Sequence, residues 1–245
     1  MKKKAKKGAL VIVDGLDGSG KGTIVYHFGK WAKKMKLKVL DLRQYGQKHH
    51  SLPKPSELKG YDVVLSAEPT FSLIGRAIRD ELVKDNKREY SAHATAQAYA
   101  LDRYLLYQRV IVPALERGLF VFQERGVTTS IAYQPLQAEP IYLPEILGYE
   151  GNKLALKYRP DLLIITKLPP HMVMKRLDNR MAKKDDSIFE NLPFLKKAAR
   201  HFNSQWFKKI FEKEGSKVVY VDASKDIEHG VNQAITCWKD FLDNR

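Results

Sequence analysis

The sequence predicts a three-layer α/β fold in which a parallel sheet of about five strands has helices on both faces. Short, continuously apolar segments of the kind found in buried strands alternate with longer segments whose apolar residues recur at helical spacing. A glycine-rich turn follows the first of these strands and precedes the first helix, as in strand–helix–strand units. The predicted strands are residues 9–13, 63–66, 119–122, 162–166 and 218–221.

The segments between these strands predict six helices, because their apolar residues recur every three or four positions. These helices cover residues 21–35, 72–83, 93–115, 170–179, 193–214 and 227–242. Residues 39–42 are open to two interpretations, a sixth strand or the end of a passage from helix to loop.

Two connecting segments, residues 44–60 and 135–157, contain several Pro and Gly residues and are longer than most connections. Loops of this length are typically lids, binding loops or disordered segments. Neither segment shows a break in composition strong enough to mark a domain boundary. We therefore expect a basic N-terminal tail over residues 1–8 and a single domain over residues 9–245.

The chain has 245 residues and a formal net charge of +15 with histidine neutral. Five of the excess charges lie in the first seven residues, which we expect to form a solvated tail. Such charge attracts any polyanion and does not identify the partner. A hydrophobic content of 44% excludes a disordered chain, and the single Cys237 excludes a disulfide scaffold. No apolar run reaches the roughly 18–20 residues of a membrane span, so we expect a soluble, cytoplasmic protein.

The turn after the first strand has the sequence and the context of a phosphate-binding loop. Glycines allow the backbone to fold tightly enough for successive N–H groups to point at phosphate oxygens, and the helix that follows adds the positive end of its dipole. Lys21 supplies a mobile charge for the transferred phosphate. The sequence therefore predicts a site for the phosphates of a nucleotide, in a fold of the P-loop NTPase type. Its residues are Gly15, Gly18, Ser19, Gly20, Lys21, Gly22 and Thr23.

Four further polar segments lie where an acceptor site is expected, at the carboxyl ends of strands or on a helix that faces them. They are residues 66–70 with 74–79, residues 99–103, residues 123–125 with 130–134, and a basic group at Arg176, Arg180, Lys183 and Lys184.

Taken together, these segments resemble the thymidylate kinase family, particularly its archaeal type. The resemblance covers residues 10–242, and the order and spacing of its pieces are more specific than any one of them. In chain order the pieces are Gly15-Leu-Asp-Gly-Ser-Gly-Lys21, Glu68-Pro-Thr70, Asp102-Arg103, Glu124-Arg125, Ala132-Tyr-Gln134, Pro160-Asp161 and Val221-Asp-Ala-Ser224.

The resemblance implies transfer of the γ-phosphate of Mg·ATP to dTMP, giving dTDP and ADP. It places Tyr99 against the thymine ring, Arg103 near the base and the acceptor phosphate, and Asp17 near the sugar 3′-hydroxyl. It also implies a homodimer. The residues implied to bind the acceptor are Asp17, Glu68, Pro69, Tyr99, Arg103, Arg125, Tyr133 and Gln134, and those implied to hold Mg²⁺ are Thr23 and Glu124.

The expected catalytic groups are cations, because phosphoryl transfer mainly requires two phosphates in line and neutralisation of the charge that spreads over them. Lys21 and Arg125 are the first two. Since no Arg lies between Gly15 and Lys21, we expect a mobile lid over about residues 176–190 to supply another, Arg180 before Arg176.

Three positions depart from the pattern of the family, and all three are on the acceptor side. Ala67 stands where many relatives have an Arg, Glu124 replaces the usual Asp, and Gly126 replaces a Tyr. Arg76 or Arg79 is then the candidate for the cation that faces the acceptor phosphate.

Because of these three departures, two other functions are also compatible with the sequence. One is a kinase of a deoxynucleoside or of another nucleoside monophosphate. A deoxynucleoside kinase requires a base toward a neutral hydroxyl, whereas a monophosphate kinase requires additional cations. The other is a nucleotide-binding protein with little or no catalysis and a basic surface that binds nucleic acid.

Overall fold

A computed structural model describes residues 8–84, 87–88, 90–137, 139–179 and 191–245. It contains a sheet of six parallel strands in the order β2-β3-β4-β1-β5-β6. The strands are β1 (Ala9–Gly15), β2 (Val39–Asp41), β3 (Val63–Ala67), β4 (Phe120–Glu124), β5 (Leu162–Lys167) and β6 (Lys217–Asp222). This architecture confirms the predicted P-loop NTPase-type α/β fold.

Helices cover both faces of the sheet. They are α1 (Lys21–Lys34), α2 (Leu42–His49), α3 (Leu73–Ala77), α4 (Ala92–Leu106), α5 (Val112–Glu116), α6 (Val127–Tyr133), α7 (Leu143–Gly148), α8 (Glu150–Lys157), α9 (Pro170–Asp178), α10 (Leu192–Phe202), α11 (Gln205–Glu212) and α12 (Ile227–Asp243). Two segments are π-helical, Ile78–Val83 after α3 and Tyr107–Ile111 between α4 and α5.

The alternation of side chains along each strand separates the core into two clusters. On β1, Val11 and Val13 face α1 and α12, where they pack with Phe28 and Trp238. Ile12 faces the opposite cluster, which includes α5, α6, α10 and α11. All of these side chains are buried, so the central strand is apolar on both faces, as in other parallel sheets that are covered by helices.

The sheet registers place the polar ends of three strands together. Val13 of β1 is opposite Glu124 of β4, and Gly15 is opposite Thr166 of β5. Because the strands are parallel, their carboxyl ends meet at one edge. The glycine-rich turn therefore lies between the ends of β4 and β5.

The structure corrects four expectations about the elements. The sheet has six strands instead of about five, because residues 39–41 form a strand that pairs with β3. Residues 44–60 contain most of α2 and a 3-10 turn, Pro55–Leu58. Residues 135–157 contain α7 and α8. Residues 193–214 form two helices, because the chain leaves α10 at Asn203 and the Ser204 side chain caps α11.

The long helix predicted over residues 93–115 is continuous in the structure, with a π-helical section before Pro113. A proline lacks the N–H for an ordinary helical hydrogen bond and its ring crowds the carbonyl four residues earlier, so the wider π geometry is expected there. Of the predicted lid, only residues 176–179 belong to the part of the chain that the structure describes. Within that part, none of the helices is both long enough and apolar enough to span a membrane.

Trp238 is the largest fully buried side chain, and it contacts Trp31, Phe120, Phe122 and Phe241. We expect Trp238→Ala to reduce the free energy of unfolding by about 3–5 kcal/mol, because the cavity left behind cannot collapse fully. The matched control is Trp206→Ala, since Trp206 is 39% exposed. Urea denaturation followed by circular dichroism measures both. Equal losses in the two variants would show that the α12 face of the sheet is not a principal source of stability.

Candidate functional site

The turn between β1 and α1 adopts the conformation that a phosphate-binding loop requires. Gly15, Gly18 and Gly20 have φ values of 138°, 72° and 87°, which L side chains rarely adopt. A Cβ on Gly15 would lie 2.3 Å from Thr166 Oγ1, so the end of β5 leaves space for glycine alone. Ser19 Oγ lies 2.6 Å from Thr166 Oγ1 and donates to Leu16 O over 2.6 Å, which fixes the turn from inside.

Lys21, the first residue of α1, is 3% exposed and folds back on the loop. Its Nζ donates a hydrogen bond of 2.6 Å to Leu16 O. Burial and the nearby Arg125 lower the pKa of Lys21 to about 8, although Asp17 and Asp14 oppose this shift. The ammonium group is therefore poorly solvated, and the charged groups that act on it most belong to the same site.

A cavity of about 410 Å³ opens beside this loop. It includes most of the residues predicted for the two substrates. Those that line it are Asp17, Gly18, Gly20, Lys21, Gly22, Thr23, Glu68, Pro69, Tyr99, Arg103, Glu124, Arg125, Tyr133 and Gln134. Gly15 and Ser19 are not among its lining residues, and both shape the loop from behind. The sequence therefore predicted a set of side chains that the fold does bring together.

Arg125 joins the loop to the far wall of the cavity. It follows β4 in a left-handed conformation with φ of 64°, which is strained for a residue with a side chain, and its N–H donates to Val13 O at 2.9 Å. Its guanidinium forms an ion pair with Asp17, and Tyr133 OH donates to the same carboxylate at 3.2 Å. Burial opposes ionisation, but Arg125 and Lys21 hold the pKa of Asp17 below its usual value.

Asp14 is a residue of this site that the sequence analysis did not single out. It is fully buried at the end of β1, where its carboxylate accepts hydrogen bonds from Gly15 N at 2.8 Å, from Thr129 Oγ1 at 2.7 Å and from Thr128 Oγ1. Burial raises its pKa. The available signal was an acidic residue that ends an otherwise apolar strand directly before the glycine-rich turn.

A buried ion pair between Glu68 and Arg103 forms the deepest part of the cavity. Glu68 Oε2 accepts from Arg103 Nε at 2.8 Å and forms an ion pair with Nη2 at 2.7 Å, and Glu68 Oε1 accepts from Gln123 Nε2 at 3.0 Å. Burial raises the pKa of Glu68 to about 7, while the guanidinium beside it acts in the opposite direction. Both side chains are less than 5% exposed, so the pair is a fixed wall of the site.

Arg79 adds a fourth cation to the cavity, and Arg76 does not. The π-helical turn after α3 directs Arg79 inward, where its guanidinium lies 3.8 Å from the centre of the Phe71 ring and donates to Thr70 O at 3.1 Å and to Pro69 O. Burial lowers its pKa. Arg76 is exposed and pairs with Asp80 at 3.8 Å, away from the cavity.

Tyr99 on α4 presents the aromatic face expected on the acceptor side. The ring is partly buried and lines the cavity together with Phe71 and Arg79. Burial raises the pKa of the Tyr99 hydroxyl to about 12, so the phenol is neutral at physiological pH. Gln134 lies nearby at 4% exposure, and its Oε1 has no hydrogen-bond partner among the residues that the structure describes. An aromatic face and an unsatisfied amide oxygen can bind a heterocyclic base.

Glu124 and Gly22 fit each other closely across the cavity. A Cβ added to Gly22 would lie 2.8 Å from Glu124 Oε2, so the carboxylate occupies the space that a side chain at position 22 would need. Thr23 lines the same cavity one residue further along α1. These oxygen atoms suit Mg²⁺, which is usually held by one or two carboxylates together with substrate phosphates. The two residues predicted for the metal therefore fit it chemically.

Of the two predicted lid cations, the structure describes Arg176, which does not line the cavity. Arg176 is in α9, and its Nη2 donates to Ala223 O at 2.8 Å and to Lys225 O at 2.9 Å. It therefore lies at the end of β6 and not beside Arg125. Arg180 lies outside the residues that the structure describes.

Comparisons with known proteins identify the family that this chain resembles. The family model described as thymidylate kinase matches residues 50–235. A probable thymidylate kinase of Caldivirga maquilingensis is 30% identical over 232 residues, which cover 94% of this chain and 93% of the relative. A probable thymidylate kinase of Thermococcus gammatolerans is 31% identical over 79% of this chain and 80% of its own length.

A bacterial relative gives the same result, since the thymidylate kinase of Caldicellulosiruptor saccharolyticus is 31% identical over 86% of this chain and 90% of its own length. The relative from Caldivirga maquilingensis matches along nearly the whole chain, and the family model covers the wall that carries Tyr99 and Arg103. On this evidence the chain belongs to the thymidylate kinase family.

Proposed function

We propose that this protein transfers the γ-phosphate of ATP to dTMP, giving dTDP and ADP. The observation that carries the proposal is a cavity shared by a phosphate-binding loop, an aromatic ring, one buried arginine and two partly buried arginines. The family supports the same reaction. One enclosed site that contains both binding surfaces can hold two phosphates in line, which is the main requirement of phosphoryl transfer.

On the donor side, we assign the ATP phosphates to the glycine turn and to the beginning of α1. Gly18, Gly20 and Gly22 line the cavity edge at the start of α1, where the N–H groups of a helix N-terminus bind phosphate, and Lys21 provides the mobile charge. The Lys21 ammonium now binds a backbone carbonyl, and a phosphate oxygen is the stronger acceptor for it. We expect ATP to displace the lysine from Leu16 O.

On the acceptor side, we assign the base to the wall formed by Tyr99, Arg103 and Gln134, and the sugar to the neighbourhood of Asp17 and Tyr133. Stacking on an aromatic ring contributes about 1–3 kcal/mol per base. Pro69 and Glu68 close the same wall behind Arg103. The Asp17 carboxylate is held by two partners, so it presents a fixed acceptor to a sugar hydroxyl.

We assign the acceptor phosphate to Arg125 and Arg79. Arg79 takes the role that Ala67 cannot fill, because its guanidinium lines the cavity. Among the described residues it binds the Phe71 ring and two backbone carbonyls. Arg180 remains the first candidate for the lid cation. Arg176 is held by two carbonyls at the end of β6, so its participation would require release from them.

Mg²⁺ would be held by Thr23 and Glu124 together with the phosphates of ATP. When bound it would neutralise charge on the transferred phosphoryl group. Gly22 contributes by leaving the volume that the Glu124 carboxylate occupies. The homodimer implied by the resemblance stays a prediction.

The direct test is purified protein with Mg·ATP and a panel of nucleosides and nucleoside monophosphates, with ADP release measured. We expect dTMP to be the best acceptor and Lys21→Ala to reduce turnover at least about 100-fold, because the variant lacks the mobile charge at the transferred phosphate. A much faster reaction with thymidine or another monophosphate would contradict the dTMP assignment. Binding of nucleic acid without turnover on any acceptor would favour the non-catalytic alternative.

The pH dependence of ATP binding tests the environment of Lys21. Its pKa of about 8 predicts that the ammonium loses its proton as the pH rises through 8, so the attraction for phosphate weakens. We expect the Kd of a non-hydrolysable ATP analogue, at constant Mg²⁺, to rise by up to about tenfold per pH unit above 8.

Lys21→Arg is the matched control, because a guanidinium stays protonated over this range. Its Kd should change little between pH 7 and 9.5. A wild-type Kd that is equally flat would mean that Lys21 keeps its charge in the free protein.

A double-mutant cycle tests the fit of Gly22 with Glu124. In Gly22→Ala the new Cβ displaces the carboxylate, and Glu124→Asp withdraws it by one methylene. We expect each variant to weaken Mn²⁺ binding about tenfold in the presence of ATP, with little change in thermal stability. The double variant should be no worse than either single one, because the shorter carboxylate no longer meets the Cβ. Additive losses would show that the two residues act independently.

A further inference from the structure

Asn152 is a fully buried polar residue that no step of the proposed reaction uses. It lies in α8, within the segment that the sequence predicts as a long loop. Its Oδ1 accepts a hydrogen bond from Arg103 Nη1, and its Nδ2 donates to Ile146 O at 2.6 Å. Both ends of the amide are therefore satisfied, one by the acceptor wall of the cavity and one by α7.

The hydrogen bonds of Arg103 show what this contact does. A guanidinium has five N–H donors in one plane. Nε donates to Glu68, whose Oε2 also lies 2.7 Å from Nη2 in an ion-pair contact. Nη2 donates to Ser130 Oγ at 3.2 Å, and one Nη1 donor binds Asn152. One Nη1 donor remains without a partner among the described residues, and Arg103 lines the cavity.

The packing of α8 against α4 fixes where Asn152 lies. A Cβ on Gly151 would be 1.8 Å from Ala100 O and 3.0 Å from Tyr104 N, so the two helix backbones are in direct contact around the turn that carries Arg103. A contact this close allows no sliding of one helix along the other, because protein interiors transmit small displacements instead of absorbing them. The register of α8 therefore places the Asn152 amide within hydrogen-bond reach of the guanidinium.

We propose that Asn152 is a positioning residue for the acceptor, which orients Arg103 so that its remaining Nη1 donor faces the base of the nucleoside monophosphate. Glu68 alone holds only the Nε and Nη2 side of the guanidinium, which leaves the group free to tilt at Nη1. Asn152 fixes Nη1, the guanidinium nitrogen that Glu68 does not bind. The inference rests on the proposed function, since it assigns a ligand to a donor of the proposed acceptor wall.

A neutral amide suits this position better than a carboxylate. Glu68 already balances the charge of Arg103 in a buried environment, and a second buried carboxylate would be an added cost of desolvation. The amide oxygen supplies an uncharged acceptor for Arg103, and the amide N–H donates to Ile146 O near the end of α7. The α7–α8 segment thus acts on the acceptor through one hydrogen bond.

The test compares Asn152→Ala, Asn152→Asp and the neighbouring Lys153→Ala, using dTMP and a non-hydrolysable ATP analogue in separate equilibrium titrations. Asn152→Ala removes the acceptor for Nη1, and we expect the Kd for dTMP to rise about tenfold with the Kd for the ATP analogue unchanged. Asn152→Asp keeps an oxygen for Nη1 and loses the donor to Ile146 O, so it should melt at a lower temperature yet bind dTMP within about threefold of wild type. Lys153 is exposed and its loss should change neither affinity.

Equal weakening of both ligands in Asn152→Ala, or dTMP affinity that follows thermal stability across the three variants, would reduce Asn152 to a structural role and overturn the inference. An unchanged Kd for dTMP in Asn152→Ala would also overturn it. A failure of the proposed function can be distinguished from these outcomes, because it would appear as poor dTMP turnover by the wild-type protein. In that case the same titrations with the preferred monophosphate would decide whether Asn152 positions Arg103.

Discussion

The ion pair between Asp17 and Arg125 is the interaction on which the geometry of the site depends. Asp17 belongs to the turn after β1, and Arg125 belongs to the end of the neighbouring strand β4. Sheet hydrogen bonds such as that from Arg125 N to Val13 O join the two strands, and the ion pair extends this connection to the loop. It requires the strained left-handed backbone of Arg125, which directs the side chain toward the loop. Tyr133 then fixes the carboxylate from the other side.

The partners of the four cavity cations differ in a way that matters for an anionic ligand. Arg103 and Arg125 pair with carboxylates, whereas Lys21 and Arg79 bind backbone carbonyls. A carbonyl offers only a partial negative charge, so the charges of Lys21 and Arg79 are not compensated by it, and burial lowers the pKa of both. A phosphate group would supply the full negative charge that these two cations lack, which is why they suit an anionic ligand. The net charge of +15 by itself could not identify them.

The parts of this structure that could be predicted from sequence are those set by local chemistry. The turn at residues 15–21 was predictable because each glycine is required by backbone sterics, and β1 because it is apolar on both faces. The helices α7 and α8 were missed because Pro and Gly at helix ends resemble loop composition. Asp14 and Asn152 were missed because their roles arise from residues more than 45 positions away, with which they meet only after the sheet and helices have packed.

Helix α6 connects the two polar networks of the site. Thr128 and Thr129 near its beginning donate to Asp14, and Tyr133 at its end donates to Asp17. Both ends of the helix are therefore bound to the phosphate-binding loop or to the strand residue before it. At its centre Ser130 accepts from Arg103, so the same helix is tied to the acceptor wall. Six of its seven residues are buried, which leaves the helix no freedom to move by itself. The distance between the two proposed substrate sites is therefore set by one short, buried helix, and a reaction that needs two phosphates in line depends on that rigidity.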